Sequence, residues 1–110
     1  MSAKKPAMQV AEIRSADDVV RAVTALYGLN KGALRGPLRT RFLVKARRLA
    51  AVIMKRSLNM SMAEIGKPLG RAGSTVYGML EGYYDDEQAR RVDYQQDFLA
   101  VYGEFRRINP

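Results

Sequence analysis

The sequence predicts an all-α protein, a compact multi-helix domain built around a helix-turn-helix. Three observations carry this. Residues 61–80, SMAEIGKPLGRAGSTVYGML, hold two short helical patterns on either side of a tight break. Residues 38–58 and 85–108 place apolar side chains at helical spacing over several turns. Residues 15–27 begin with a helix-capping signal and stop at a glycine. A chain of 110 residues, 47% of them hydrophobic, suits one small domain with a modest single core.

Taken in order, residues 1–14 are mixed and weakly patterned, and are expected to form a flexible basic lead. Over 15–27, Ser15 and Asp18 make a capping-box start, with Asp in place of the usual Glu or Gln. Val19, Val20, Val23, Leu26 and Tyr27 follow at helical spacing, and Gly28 ends the helix. Residues 29–37, with Asn30, Gly32, Gly36 and Pro37, read as a connection with a short turn around Lys31–Leu34. The long segment 38–58 puts Phe42, Ala46, Leu49, Ala50 and Ile53 on one face. In 61–80, Met62 and Ile65 mark the first short helix, and Lys67-Pro68-Leu69-Gly70 is expected to break it. Val76, Met79 and Leu80 mark the second, which Ser74 and Thr75 are expected to cap. Asp85, Asp86 and Glu87 suit the start of a last helix, with Tyr94, Phe98, Val101, Tyr102, Phe105 and Ile108 as its apolar stripe. The expected core is Val19, Val23, Leu26, Phe42, Ala46, Leu49, Ile53, Ile65, Val76 and Leu80.

Charge narrows the function. The formal net charge is +8, which favours nucleic acid as a partner and an anionic membrane surface after it. Between Val19 and Ala63 there are ten Lys or Arg and no Asp or Glu. Arg41, Lys45, Arg48 and Lys55 gather opposite the apolar face of the long helix. A merely solvated face mixes signs, so that neighbouring turns support one another. Same-sign charge repels itself unless an anion covers it, which points to an anion-binding surface. Residues 81–110 reverse the balance, with seven acidic and four basic residues. That tail is expected to stay away from DNA and to close the core or bind a partner helix.

With no Cys and no His, thiolate metal sites, disulfides and imidazole chemistry are excluded. No constellation of acid, base and nucleophile stands out, so neither an enzyme nor a cofactor or metal is expected. No apolar run is long enough to span a membrane, and no apolar segment follows Lys4 and Lys5 as in a signal peptide. A cytoplasmic protein is expected.

A helix, a Gly-containing turn and a second helix also occur in plain packed bundles, so the pattern alone leaves DNA reading and helix packing both open. The ordered combination of segments is more specific. SADDVVRAVTALYGLN is followed by RTRFLVKARRLAAVIMKRSLNMS, by S-x-x-E-I-G at Ser61–Gly66, and by G-R-x-x-S/T-T-V at Gly70–Val76. Over 15–84 the chain resembles the C-terminal DNA-binding domain of the bacterial replication initiator DnaA, a Trp-repressor-like helix-turn-helix family. The resemblance implies that the first turn of the second short helix reads bases in the major groove. Where that family usually has Asp-His-Thr-Thr, this chain has Ala72, Gly73, Ser74 and Thr75, after a retained Arg71. One of the two glycines that usually precede is missing. Arg39 and Arg47 match basic residues that contribute minor-groove and backbone contacts, and Met62 and Ala63 match positions that touch phosphate.

Neither Ala72 nor Gly73 offers a hydrogen-bonding side chain to a base edge, so the resemblance implies a site preference different from the initiator's. Glu81 and Gly82 also stand where the family is usually basic. No G-x-x-x-x-G-K-[ST] segment occurs, so the chain resembles the DNA-binding part without the ATPase, as in small replication-associated regulators and phage proteins.

The expectation is a double-stranded DNA-binding regulator of replication or transcription. Its candidate contacts are Arg39, Arg41, Lys45, Arg47, Arg48, Lys55, Met62, Ala63 and Lys67, then Arg71, Ala72, Gly73, Ser74, Thr75 and Tyr77. Arg71, Ser74 and Thr75 are the expected base contacts, with Arg71 first because bidentate Arg–guanine pairing is the commonest specific contact. Tyr77 either faces a base or packs against Met79 or the tail. The alternative is a protein-interaction module acting on a replication protein, with the aromatic C-terminal helix as its contact or as a dimer seam.

Overall fold

The computed structural model describes residues 12–110; the expected basic lead over 1–14 lies, up to residue 11, outside the described residues. The described chain is all-helical. It runs α1 (Ala16–Tyr27), a short 3-10 turn (Ala33–Arg35), α2 (Arg41–Leu58), α3 (Met62–Leu69), α4 (Gly73–Gln88) and α5 (Tyr94–Ile108).

α1 has the boundaries its local signals dictate. The Ser15 hydroxyl accepts from the Asp18 amide, and the Asp18 carboxylate accepts from the Ser15 amide. These bonds satisfy donors that a helix start leaves open. Gly28 closes the helix in the left-handed conformation, φ 66°. Val19, Val20 and Val23 are buried, whereas Leu26 is only partly covered at the edge of the core.

α2 is the central post, packed against α1, α3 and α4. It starts at Arg41 rather than Leu38, because Thr40 caps it and accepts from the Leu43 amide. Leu43, Ala46, Leu49, Ala50, Ala51, Val52, Ile53 and Met54 are buried. Phe42, expected in the core, is 66% exposed. It has the right helical phase, but it lies in the first turn at the edge of the buried face, where Leu43 is covered and Phe42 is not. The buried stripe begins at Leu43.

The turn of the helix-turn-helix is shifted from the expected break. Pro68 lies inside the last turn of α3, and the chain leaves the helix at Gly70, φ 64°. The Arg71 amide then donates to the Gly66 carbonyl and the Gly70 amide to that of Lys67, a Schellman closure. This return is tight enough that a Cβ on Gly66 would lie 2.1 Å from the Arg71 carbonyl oxygen. α4 begins at Gly73 behind Ala72, which has no side-chain acceptor for the helix start. Ser74 and Thr75 are therefore the second and third helical residues, and Ser74 is not the cap.

Asp85, Asp86 and Glu87 do not open the last helix. They lie in the last turn of α4, and α5 starts only at Tyr94, capped by Asp93. Acidic groups are poorly placed at a helix C-terminus, but cations compensate them here. Arg56 binds Glu87 at 2.6 Å, and Arg48 and Arg91 reach Asp86 at 3.6 and 3.2 Å. α5 packs along α1, with Val101 and Phe105 buried. Tyr83 donates a 2.7 Å hydrogen bond to Asp97, which ties α4 to α5. Burial, then that bond, pushes the Tyr83 phenol far above its usual range.

Candidate nucleic-acid interface

The opening turns of α4 form an exposed, uncrowded ledge. Ser74, Thr75, Tyr77 and Gly78 face solvent, while Val76 and Leu80 anchor the other side in the core. Tyr77 is 54% exposed, so it is not packed beneath Met79 or the tail. A Cβ on Gly73 would lie 3.5 Å from the Ala63 amide nitrogen. The N-termini of α3 and α4 thus meet, and Met62, Ala63 and Gly73 share one corner. Helix N-termini present amides and a positive dipole end to anions.

Beside this ledge, between α2 and α4, runs a groove of about 250 Å³, lined among others by Arg39, Arg48, Arg71, Thr75 and Gly78. Its arginines divide into two kinds. Arg47 is 3% exposed. Its guanidinium donates to the carbonyls of Leu34 at 2.9 Å, Gly36 at 2.8 Å and Ala33 at 3.4 Å. Arg71 donates to the carbonyls of Leu69 at 2.8 Å, Arg35 at 3.2 Å and Gly36 at 2.7 Å. Both clamp the 33–36 turn against α2 and the helix-turn-helix. Arg47 therefore does not stand at the surface as expected, and the Arg71 guanidinium is committed to backbone rather than open to a guanine. Burial, and then the positive charges of Arg71 and Arg39, lower the Arg47 pKa, so three guanidinium groups crowd one another here.

Arg48 lines the groove but is partly engaged within the fold. It lies across α4 over Gly82, where a Cβ would come within 2.5 Å of its guanidinium carbon, and pairs with Asp86. Arg56 is bound by Glu87 and sits over the Tyr94 ring at 4.5 Å. Lys55 is half-buried near the far end of α2, and Lys67 is exposed on α3.

The basic surface is therefore narrower than the run of ten cations suggests. Arg39, Arg41 and Lys45 are exposed and have no carboxylate partner among the described residues. They lie at the N-terminal end of α2, and Arg39 reaches the α4 ledge. Arg35, not singled out from the sequence, donates to the Lys67 carbonyl and accepts from Arg71 through its own. Its only signal in the sequence is membership of the cationic run.

Comparison with known proteins matches the same segments. The family described as the bacterial dnaA protein helix-turn-helix matches residues 16–80. The chain is 33% identical over 69 residues to the chromosomal replication initiator protein DnaA of Herpetosiphon aurantiacus. That match covers 63% of this chain and 14% of the relative's length.

Proposed function

The chain belongs to the bacterial DnaA helix-turn-helix family, and on that premise we propose that it binds double-stranded DNA through α3 and α4. Its site preference differs from that of the initiator, and it acts as a regulator of replication or transcription. The observation that carries the reading is the groove that Arg39 shares with Thr75 and Gly78 at the exposed opening turns of α4, with Arg41 and Lys45 exposed nearby in sequence and without an ion-pair partner among the described residues. Phosphate neutralisation by such cations supplies affinity without sequence information. Ser74, Thr75 and Tyr77 are the side chains on the ledge that can reach base edges, and Arg71 supports the ledge from behind. Met62, Ala63 and Gly73 turn backbone amides toward a phosphate. Glu81 and Asp85, exposed further along α4, confine close DNA approach to its first turns.

The altered preference rests on Ala72 and Gly73, which give α4 no polar side chain at the positions where the family's usual reading segment begins. Selection of bound duplexes from a random pool, followed by competition against the initiator's usual binding sequence, tests both parts. The expected result is an enriched sequence other than the initiator's. A preference of about a hundredfold or more for the initiator's sequence overturns the altered specificity. Failure to bind any duplex overturns DNA binding and leaves contact with a replication protein as the function.

A further inference from the structure

Two large apolar side chains stand in water inside the most basic part of the molecule. Leu38 is 65% exposed and Phe42 is 66% exposed. Between them, in the order Leu38-Arg39-Thr40-Arg41-Phe42, lie two exposed arginines and the cap of α2. Exposed single hydrophobics are ordinary. An apolar pair enclosing two arginines with no carboxylate partner among the described residues is less so, because the arginines would be desolvated by any neutral partner that covered the pair. From residue 19 to residue 63 the sequence offers no carboxylate, and the Asp86 carboxylate that crosses from α4 is held by Arg48 and Arg91. The partner that fits is both anionic and able to bury apolar surface.

Resting on the DNA-binding reading above, we propose that Leu38 and Phe42 form an apolar wedge that enters the minor groove beside the segment read by α4, unstacks a base step and bends the duplex. Position supports this. Arg39 shares a groove with Thr75 and Gly78 of α4, so the 38–42 segment flanks the ledge. Residues 38–40 approach α2 outside any helix or turn, and a basic arm beside a reading helix is placed to reach the adjacent minor groove. Apolar wedges of Phe or Leu are used there to unstack and kink the duplex, while arginines follow its negative potential. The preferred site would then contain a flexible pyrimidine–purine step next to the contacted bases, without any hydrogen bond to that step.

The test measures binding and bending separately. The 12–110 fold does not depend on either side chain, so Leu38→Ala, Phe42→Ala and the double variant should melt like the native protein. Duplexes selected by the native protein, labelled at both ends, report the bend by energy transfer. The expected result is a bend that the double variant largely abolishes, with affinity for the selected duplex falling roughly tenfold. The chain contains no Trp, so Phe42→Trp supplies a unique probe, whose emission should be quenched and shielded from acrylamide when the duplex binds. Native binding with a straight duplex, or a bend unchanged in the double variant, overturns the wedge while leaving DNA binding in place. Absence of binding to any duplex overturns the DNA-binding reading and the wedge together. Sedimentation showing a dimer that Phe42→Ala dissolves also overturns it, since a second copy would then cover the patch.

Discussion

Arg47 and Arg39 are eight positions apart, identical in chemistry and opposite in use. Arg47 fills three carbonyls from inside the fold, whereas Arg39 lies open on the groove. Arg47→Ala should cost about 2–3 kcal/mol in chemical denaturation, since charge-assisted bonds are lost and carbonyls are left unpaired. Arg39→Ala should change stability by less than about 0.5 kcal/mol. The same contrast holds for apolar residues of α2. Ile53→Ala should cost about 2–5 kcal/mol because Ile53 is fully buried, while Phe42→Ala should be near neutral. Helical phase alone made Phe42 and Ile53 equivalent, and a row of arginines made Arg39 and Arg47 equivalent. What separates them is non-local: the 33–36 turn folds back over α2 at Arg47, and the packing that buries Leu43 leaves Phe42 exposed. Ile53 and Leu49 are legible because they sit well inside α2, where neighbouring elements cover them.

At the scale of elements, the helix-turn-helix depends on one glycine more than on the proline that first draws attention. Pro68 is accommodated in the last turn of α3, while Gly66 gives the returning Arg71 carbonyl its space. Gly66→Ala should destabilise the fold by roughly 2–4 kcal/mol, because backbone must move. Gly82→Ala meets only the end of the Arg48 side chain and should cost under about 1 kcal/mol; melting both variants checks the order. α1 could be read to the residue because its cap and stop are local chemistry. The end of α4 could not. Its acidic residues look like a helix start, and only their pairing with Arg48, Arg56 and Arg91 explains why the helix continues through them. Ser74 was misplaced for the related reason that Ala72, a poor cap by propensity, starts the helix once the Gly66 return fixes the turn.

Over the whole molecule, charge is sorted rather than spread. Acidic residues of α4 pair with Arg48 and Arg56 of α2, while Arg39 and Arg41 at its start have no carboxylate partner among the described residues, and Arg39 lies beside the α4 ledge. The Arg56–Glu87 pair makes this sorting sensitive to acid. Its hydrogen bond from Arg56 holds Glu87 below the usual glutamate range, against the opposing effect of burial. A carboxyl with a depressed folded pKa stabilises the fold above its unfolded value, near 4.5, and that contribution disappears as pH falls through the lower folded value. Glu87→Gln should therefore cost under about 1 kcal/mol at pH 7, and the difference from the native protein should vanish as pH falls through the lowered folded value. A difference that persists or grows in acid would place the stabilisation elsewhere. The claim that binding energy comes from the unpaired cations at the start of α2 is tested most directly by the salt dependence of duplex affinity for the native protein, Lys45→Ala and Arg56→Ala. Lys45→Ala should weaken selected and random duplexes about equally and reduce the slope of log affinity against log salt by about 1. Arg56→Ala, once shown by melting to be folded at the assay temperature, should leave that slope unchanged. Equal slopes for all three proteins would contradict the assignment of the DNA-facing surface.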